Sequence, residues 1–323
     1  MIISDHILMG SIIGLSLHPF DGYVLAAAVG GSLLPDIDYV HGGPGTIGYL
    51  DKHRTYTHSL LLAPAFTFLL AVILYAGSFL LKYLFDLQPA DSIITLWSWC
   101  LLGAIIHLLV DILNPFGTSL WWPIRGRVAM DILFEFDFAF SLLLIIGFIV
   151  VLLKLFSPDL SVPERCQLVL TIYLIYAVYI LLRAVSRLRF KNRIKDKFVH
   201  LLKESNKASF VPAGLWRWKA ILETEDKHYV IRQYGQDLGC EECPKIDLSA
   251  IPPLMQVEEV NIYYRYARYL NIQVQDKYLH LRLSNLIYSS QVLPLIGCFA
   301  DPQNPLIKIE KPKWLRVLCE RHY

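Results

Sequence analysis

Four groups of ionisable residues in the first third of the chain have the types and spacing to do chemistry. His6 opens an amphipathic segment and is followed four residues later by Gly10. In Gly30-Gly31-Ser32-Leu33-Leu34-Pro35-Asp36-Ile37-Asp38, the proline disfavours helix at the residue before it, which predicts a turn on which the Asp36 and Asp38 carboxylates converge. His53-Arg54-Thr55-Tyr56-Thr57-His58-Ser59 sets two imidazoles around an arginine and hydroxyl-bearing residues, a combination suited to metal ligation beside phosphate binding. His107 and Asp111 are four residues apart in a helical pattern, so they share a face, either as two donors to one centre or as a carboxylate and the histidine it orients. Each group alone also has a plain structural reading: a hydrogen-bonded histidine, an Asp-rich turn or cap, a polar helix cap at the bilayer surface, a buried His-Asp pair.

The elements that must position these residues belong to a membrane protein. Of 323 residues, 55% are hydrophobic and only 18% charged, which excludes a disordered or ordinary soluble chain. A net charge of +2 supplies no global field for a polyanion, and no nucleic acid partner is expected. Six scattered cysteines do not make a disulfide scaffold and read as reduced thiols. The amino terminus lacks a basic region and a convincing cleavage site, so it reads as part of the fold.

Four apolar runs are expected to cross the bilayer: Ser59 to Phe85, Ile93 to Leu113, Phe138 to Phe156, and Leu168 to about Leu182, the last short enough that Arg183 is expected to snorkel to the interface. Ile7 to Leu17 and Tyr23 to Leu34 are shorter and rich in Gly and Ala, which suggests interfacial or re-entrant helices. Basic residues gather between Arg183 and Lys207, and Lys52, Arg54, Arg125 and Arg127 fall in the connections two and four crossings earlier, so these segments read as cytoplasmic. Positive-inside anchoring accounts for the basic stretch without a lipid- or nucleic-acid-binding role.

This topology sorts the four groups together. At about 1.5 Å per residue, His107 lies about 9 Å from the end of its helix at Leu113, short of a midplane about 15 Å deep, so the clusters face one compartment. Asn114-Pro115-Phe116-Gly117-Thr118 continues directly from the histidine helix. Mixed imidazole and carboxylate donors suit zinc, manganese or iron, and more than four candidates suggest two ions, or one ion and a general base.

Together His6-x-x-x-Gly10, Leu34-Pro35-Asp36-Ile37-Asp38, His53-Arg54-x-x-Thr57-His58-Ser59 and His107-x-x-x-Asp111-x-x-Asn114-x-x-Gly117-Thr118 resemble the motifs of the YdjM/YfhP family of bacterial inner-membrane, predicted metal-dependent hydrolases, some of them described as LexA-regulated. The resemblance covers about residues 1–190, and the length with its soluble tail is most similar to YfhP-type members. It implies a site for one or two divalent ions, zinc or manganese, built from His6, Asp36, Asp38, His53, His58, His107 and Asp111, with Arg54, Asp38 and His58 as candidates for catalytic work. A looser similarity runs to helical zinc-dependent phospholipases C. Asp137 fits the pattern less securely, and Thr55 stands where the family often has glycine, which stiffens the loop.

The expected fold class is therefore an α-helical integral membrane domain with about four transmembrane helices and short interfacial helices, followed by a β-rich α+β cytoplasmic domain. The expected boundaries are residues 1–190 for the membrane domain, 191–207 for a basic linker and 208–323 for the soluble domain. Period-two runs at Trp216 to Glu223 and Tyr278 to Leu283 read as strands, Val260 to Leu270 as a helix or a strand, and Pro244, Pro252 and Pro253 as irregular connections. Cys240-Glu241-Glu242-Cys243 would need Cys298, Cys319 or His322 to complete a zinc knuckle.

The leading expectation is a membrane-embedded metallohydrolase whose substrate is a lipid or membrane-associated phosphoester, with metal-activated water and Arg54 stabilising developing negative charge. The rivals are a transporter or channel using the same His and Asp residues for protons or metal ions, and a regulatory membrane anchor with a binding tail. Cysteine-accessibility labelling should place Lys52 and the chain after His200 on the cytoplasmic side; an external carboxyl-terminal half would overturn the sidedness argument.

Overall fold

Glycine sets the spacing of the helices that carry the four groups. The computed structural model describes residues 3–18, 21–41, 52–124, 126–134, 137–155, 161–244, 270–274, 281–285 and 295–297. It opens with α1 (Ile3–Leu17) and α2 (Gly22–Leu33), followed by a 3₁₀ segment, Leu34–His41. After a second short 3₁₀ turn, Tyr56–His58, come α3 (Ala63–Phe85), α4 (Ile93–Asp111), α5 (Phe138–Leu155), α6 (Val162–Lys197) and α7 (Val199–Glu204).

Helix α2 packs against α1, α3 and α4. A methyl group at Gly10 would meet the Ala28 carbonyl oxygen at 2.8 Å, one at Gly31 the Cys100 carbonyl oxygen at 2.1 Å, and one at Gly103 the Ala28 carbonyl oxygen at 2.4 Å. No side chain fits at these positions, and the bare backbones approach as small-residue interfaces of membrane helices do. The glycines of the first two apolar runs thus serve close packing of α1 on α2 and of α2 on α4.

Local chemistry fixes the helix ends. The Asp21 carboxylate accepts from the backbone N–H groups of Tyr23 and Val24 at 2.9 and 3.0 Å, capping α2. At its other end the expected open turn is absent: Leu34 keeps helical angles and donates its N–H to the Gly30 carbonyl, despite preceding Pro35. Pro35 has no N–H with which to extend the α-helical ladder, so the chain tightens into the 3₁₀ segment, and Asp36 and Asp38 point into the fold from there.

Three helices, α3, α4 and α6, are long and apolar enough to cross a membrane. Helix α5 is apolar but shorter, at 18 residues. A core formed by Met9 and Ile12 of α1, Val110 of α4, Phe140 and Leu144 of α5, and Ile172 and Tyr176 of α6 holds these helices together. Arg183, expected at the lipid interface, is instead fully buried: it pairs with Asp137 at 3.6 Å, donates to the Gly214 carbonyl at 3.2 Å and lies over the Trp216 ring. Asp137 also accepts from the Tyr179 hydroxyl at 2.6 Å and from the Phe140 N–H at the start of α5. An arginine that finds this many partners gains nothing from reaching outward.

The chain divides into two compact units, one holding residues 1–40, 53–186 and 212–216, the other holding 187–211 and the chain from 217 onward together with 41–52. In the second unit, residues 191–197 continue α6, and Phe190, Ile194 and Leu201 pack against Phe210, Trp218, Ala220, Leu222 and Ile231 of a four-stranded sheet. The strands are β1 (Lys207–Pro212), β2 (Trp218–Glu223), β3 (Lys227–Tyr234) and β4 (Asp237–Pro244), in that order, with β2–β3 and β3–β4 antiparallel. Strand β2 is buried from Trp218 to Leu222 rather than alternating, so Lys219 is inside, where burial first and Arg232 second pull its ammonium down to about 7. A further antiparallel sheet joins β5 (Leu270–Val274), β6 (Leu281–Asn285) and β7 (Leu295–Gly297).

Cys240 is exposed and Cys243 buried on β4. Residues three apart on a strand face opposite ways, so the two thiols do not converge on one ion. Cys298, Cys319, His322, Val260 to Tyr269, Tyr278 to His280, Pro252 and Pro253 lie outside the described residues.

Gly103→Ala should lower the thermal midpoint of the detergent-solubilised protein, because its new methyl group meets backbone. Gly77→Ala on α3, with open space around it, should be neutral or slightly stabilising. Equal midpoints for the two variants would contradict glycine-limited packing.

Candidate metal centre

The first unit brings the sequence clusters to one place. His6 stands on α1, Asp36 and Asp38 on the 3₁₀ segment after α2, His53 and Arg54 in the following loop, His58 at the end of the second 3₁₀ turn, and His107 and Asp111 one turn apart on α4. All are buried.

Asp36, His58, His107 and Asp111 form one group of potential metal donors and Asp36, Asp38 and His53 a second, each with its donor atoms within 4.8 Å of one another. In the first group His58 Nε2 is 3.5 Å from Asp36 Oδ1, 3.5 Å from Asp111 Oδ2 and 3.2 Å from His107 Nε2. His107 Nε2 is 3.7 Å from both Asp36 Oδ1 and Asp111 Oδ2. Bonds of about 2.0–2.2 Å to nitrogen and oxygen in a tetrahedron require donors about 3.3–3.6 Å apart, close to these five separations. His6 stands outside both groups, stacked on His107 with ring centroids 3.7 Å apart and its Nε2 3.5 Å from Asp111 Oδ1.

Hydrogen bonds orient the donors. His107 Nδ1–H donates to the Ser32 carbonyl at 2.7 Å, which leaves the Nε2 lone pair facing the group. The Ser32 hydroxyl donates to the His6 carbonyl at 2.9 Å, so one residue of α2 ties α1 to α4. His58 Nδ1 lies 3.2 Å from the Thr57 hydroxyl, which donates to Asp38 Oδ2 at 3.0 Å. Asp38 also accepts from the Arg54 backbone N–H at 3.0 Å and contacts His53 Nδ1 at 3.0 Å.

Arg54 sends Nη2 to Asp111 Oδ2 at 3.0 Å and lies over the Phe116 ring. Its backbone is left-handed, at φ 59°, an unfavourable state for a residue with a Cβ. The bond from its N–H to Asp38 and one from the Ser119 N–H to its carbonyl, at 3.0 Å, hold it there. The loop after α4 supplies that second bond. It turns at Gly117, where the φ of 64° suits glycine, pairs Thr118 with Val128, and sends Arg127 to the His53 carbonyl at 3.2 Å.

Burial would raise the Asp36 carboxyl, but His107, His58 and His6 outweigh it and hold the group well below the usual carboxylate range. Asp38 is likewise held low against the effect of burial, by His53 and His58. Burial depresses His53 to about 4, with Asp38 only partly opposing it, so this ring is neutral near pH 7. His58 goes the other way: burial alone would lower it, but Asp111, Asp36 and Asp38 push it up to about 10.

Sequence reasoning had no signal for Ser32 as the link between helices, and it named Thr57 without assigning it a contact. Asp137 lies with Arg183 and Tyr179, not in either donor group.

A buried imidazole and carboxylate group that could hold a metal ion, set among helices apolar enough to cross a bilayer, defines a membrane protein with a candidate metal centre. The chain belongs to the YdjM inner membrane protein family, whose sequence model matches residues 1–190. It is similar to the uncharacterized protein YfhP of Bacillus subtilis, 30% identical over 238 residues that make up 70% of this chain and 66% of that protein. It is also similar to the inner membrane protein YdjM of Escherichia coli, 31% identical over 119 residues, 34% of this chain and 55% of that one. The chain thus spans just under two thirds of the first relative and about half of the second. No solved structure matches it.

His58→Ala or Asp111→Ala should reduce bound metal, whereas Asp137→Ala should retain it; full metal content in both of the first two variants would remove the assigned centre. The raised His58 group also sets a pH dependence. Its protonated form contributes stability that is complete below the ordinary value of 6.5 and is lost as pH climbs through about 10. A divalent ion competes with that proton, so metal affinity should rise with pH across this window, with protons released on binding. Calorimetric titration near neutrality in two buffers of different ionisation enthalpy checks this, and identical heats would contradict it.

Proposed function

We propose that the protein is a metal-dependent hydrolase of the bacterial inner membrane that cleaves a phosphoester of a lipid or lipid-linked substrate at the cytoplasmic face. The observation that carries this reading is the four-donor group of Asp36, His58, His107 and Asp111, spaced for a tetrahedral ion and lying against a buried guanidinium. In this reading α5 joins α3, α4 and α6 as a fourth span, and the basic segments place the site and the carboxyl-terminal half in the cytoplasm.

Zinc or manganese bound among these residues would supply Lewis acidity and, at a coordination position that the four donors do not fill, a water of lowered pKa. The chain's own residues do the rest. Arg54 carries a permanent charge at the edge of the donor group, where it holds Asp111 in place and stabilises negative charge developing on a phosphoryl oxygen. Asp38 is engaged by the Arg54 N–H, Thr57 and His53, which suits it to hold those residues in place more than to accept a proton from water. Thr57 orients the His58 ring, and Ser32 fixes His107.

A lipid substrate is favoured by the rim. The 3₁₀ segment that turns Asp36 and Asp38 inward exposes Ile37 and Val40, and Trp121, Trp122 and Ile124 are exposed on the loop whose Trp122 carbonyl accepts the Ser59 hydroxyl. Exposed tryptophans beside apolar side chains suit the headgroup level of a bilayer.

Purified protein supplied with zinc or manganese should hydrolyse a member of a panel of phospholipids and soluble phosphoesters, and His107→Ala should abolish that activity. Arg54→Ala should slow it by about 10²–10³-fold, as loss of an oxyanion donor does, with Arg54→Lys recovering part. Wild-type turnover in both arginine variants would confine Arg54 to balancing the charge of Asp111.

A further inference from the structure

The geometry points to a centre of two divalent ions bridged by Asp36: a closed inner site made by Asp36, His58, His107 and Asp111, and an open outer site made by Asp36, Asp38 and His53, the outer ion being the one that meets an anionic substrate. This rests on the metal-binding reading above and assigns its number of ions and their division of labour.

Asp36 is the one residue common to the two donor groups. The inner group offers four protein donors, which fills a tetrahedron, as closed structural sites do. The outer group offers three, the number that leaves a coordination position for water or substrate. Burial separates the groups through one residue: Asp38 is at 0% exposure like His58, His107 and Asp111, and among the donors that the groups do not share only His53, at 8%, reaches toward solvent.

Charge supplies an independent argument. Asp36, Asp38 and Asp111 bring three carboxylates to the two groups, and the Arg54 guanidinium pairs with Asp111. Each divalent ion added to them makes the site more positive, and so more attractive to a phosphoester anion, in a low-dielectric setting. His6 reinforces the inner group: fully buried and stacked on His107, its ring nitrogens have no hydrogen-bond partner among the described residues and one lies 3.5 Å from Asp111 Oδ1. His53 Nδ1 and Asp38 Oδ1, 3.0 Å apart, form a hydrogen bond that an outer ion bound through those two atoms would replace.

The full-length protein in detergent, loaded with manganese and freed of excess ion by gel filtration, should hold two ions per chain by elemental analysis. Its electron paramagnetic resonance spectrum should show an exchange-coupled pair. Chelator should remove one ion quickly and the other slowly. His53→Ala should keep one slowly released, uncoupled ion, and His107→Ala should lose the slow component. The wild-type stoichiometry and two-step release carry the test even where a variant does not fold. One ion released in a single step would overturn the two-ion centre while leaving the metal reading intact; no bound ion at all would take down both.

Discussion

Three carboxylates and one guanidinium share a volume from which water is almost excluded, and the first unit is arranged to make that tolerable. Charges taken out of water cost several kcal/mol each unless they are paired and hydrogen-bonded. Arg54 faces Asp111, Asp38 gathers donors from Arg54, Thr57 and His53, and four imidazoles lie among the carboxylates. The glycines of α1, α2 and α4 let the backbones come close enough for the Ser32 carbonyl to reach His107 and the Ser32 hydroxyl to reach the His6 carbonyl. The left-handed Arg54 backbone is the local strain that this arrangement tolerates.

A second buried arginine and aspartate show how much the surroundings decide. Arg183 and Asp137 are as deeply buried as Arg54 and Asp111. Asp137, however, faces a tyrosine hydroxyl and the start of a helix, and Arg183 faces a carbonyl and an indole. Among the described residues these contacts link α5, α6 and the segment 212–216. The same two residue types beside three histidines belong to a group that could hold a metal ion.

The donors were legible because their spacing is local. A spacing of four residues from His107 to Asp111 puts them on one helical face, and Asp36 and Asp38 after a proline had to leave the regular helix. The form of that departure, a 3₁₀ segment following a helical Leu34, was not legible, because the preference before proline is a local tendency that the Gly30 bond and the packing of α2 override. Contacts across distant sequence left no trace in periodicity: Arg183 with Asp137, Ser32 with His107, and Lys219 inside a sheet whose strand was expected to alternate. Gly10, Gly31 and Gly103 were visible as residues, but their role depends on which backbone faces them. Residues 191–207 read as a basic linker, whereas Ile194 and Leu201 within it, with Phe190 just before it, supply an apolar face to the sheet.

The donors are also distributed in time. His6 leaves the ribosome first, the two aspartates and the loop histidines follow, and Asp111 closes the set a hundred residues later. Until α4 has been delivered, a nascent chain has no inner group to offer, so an ion held by that group would be captured late in biogenesis, whereas the donors of the outer group are all present by residue 53. Before that moment Asp36 and Asp38 already have Arg54 and the loop histidines beside them in sequence, and the arginine, emerging within the same loop, is a counter-charge that no metal supply can withhold.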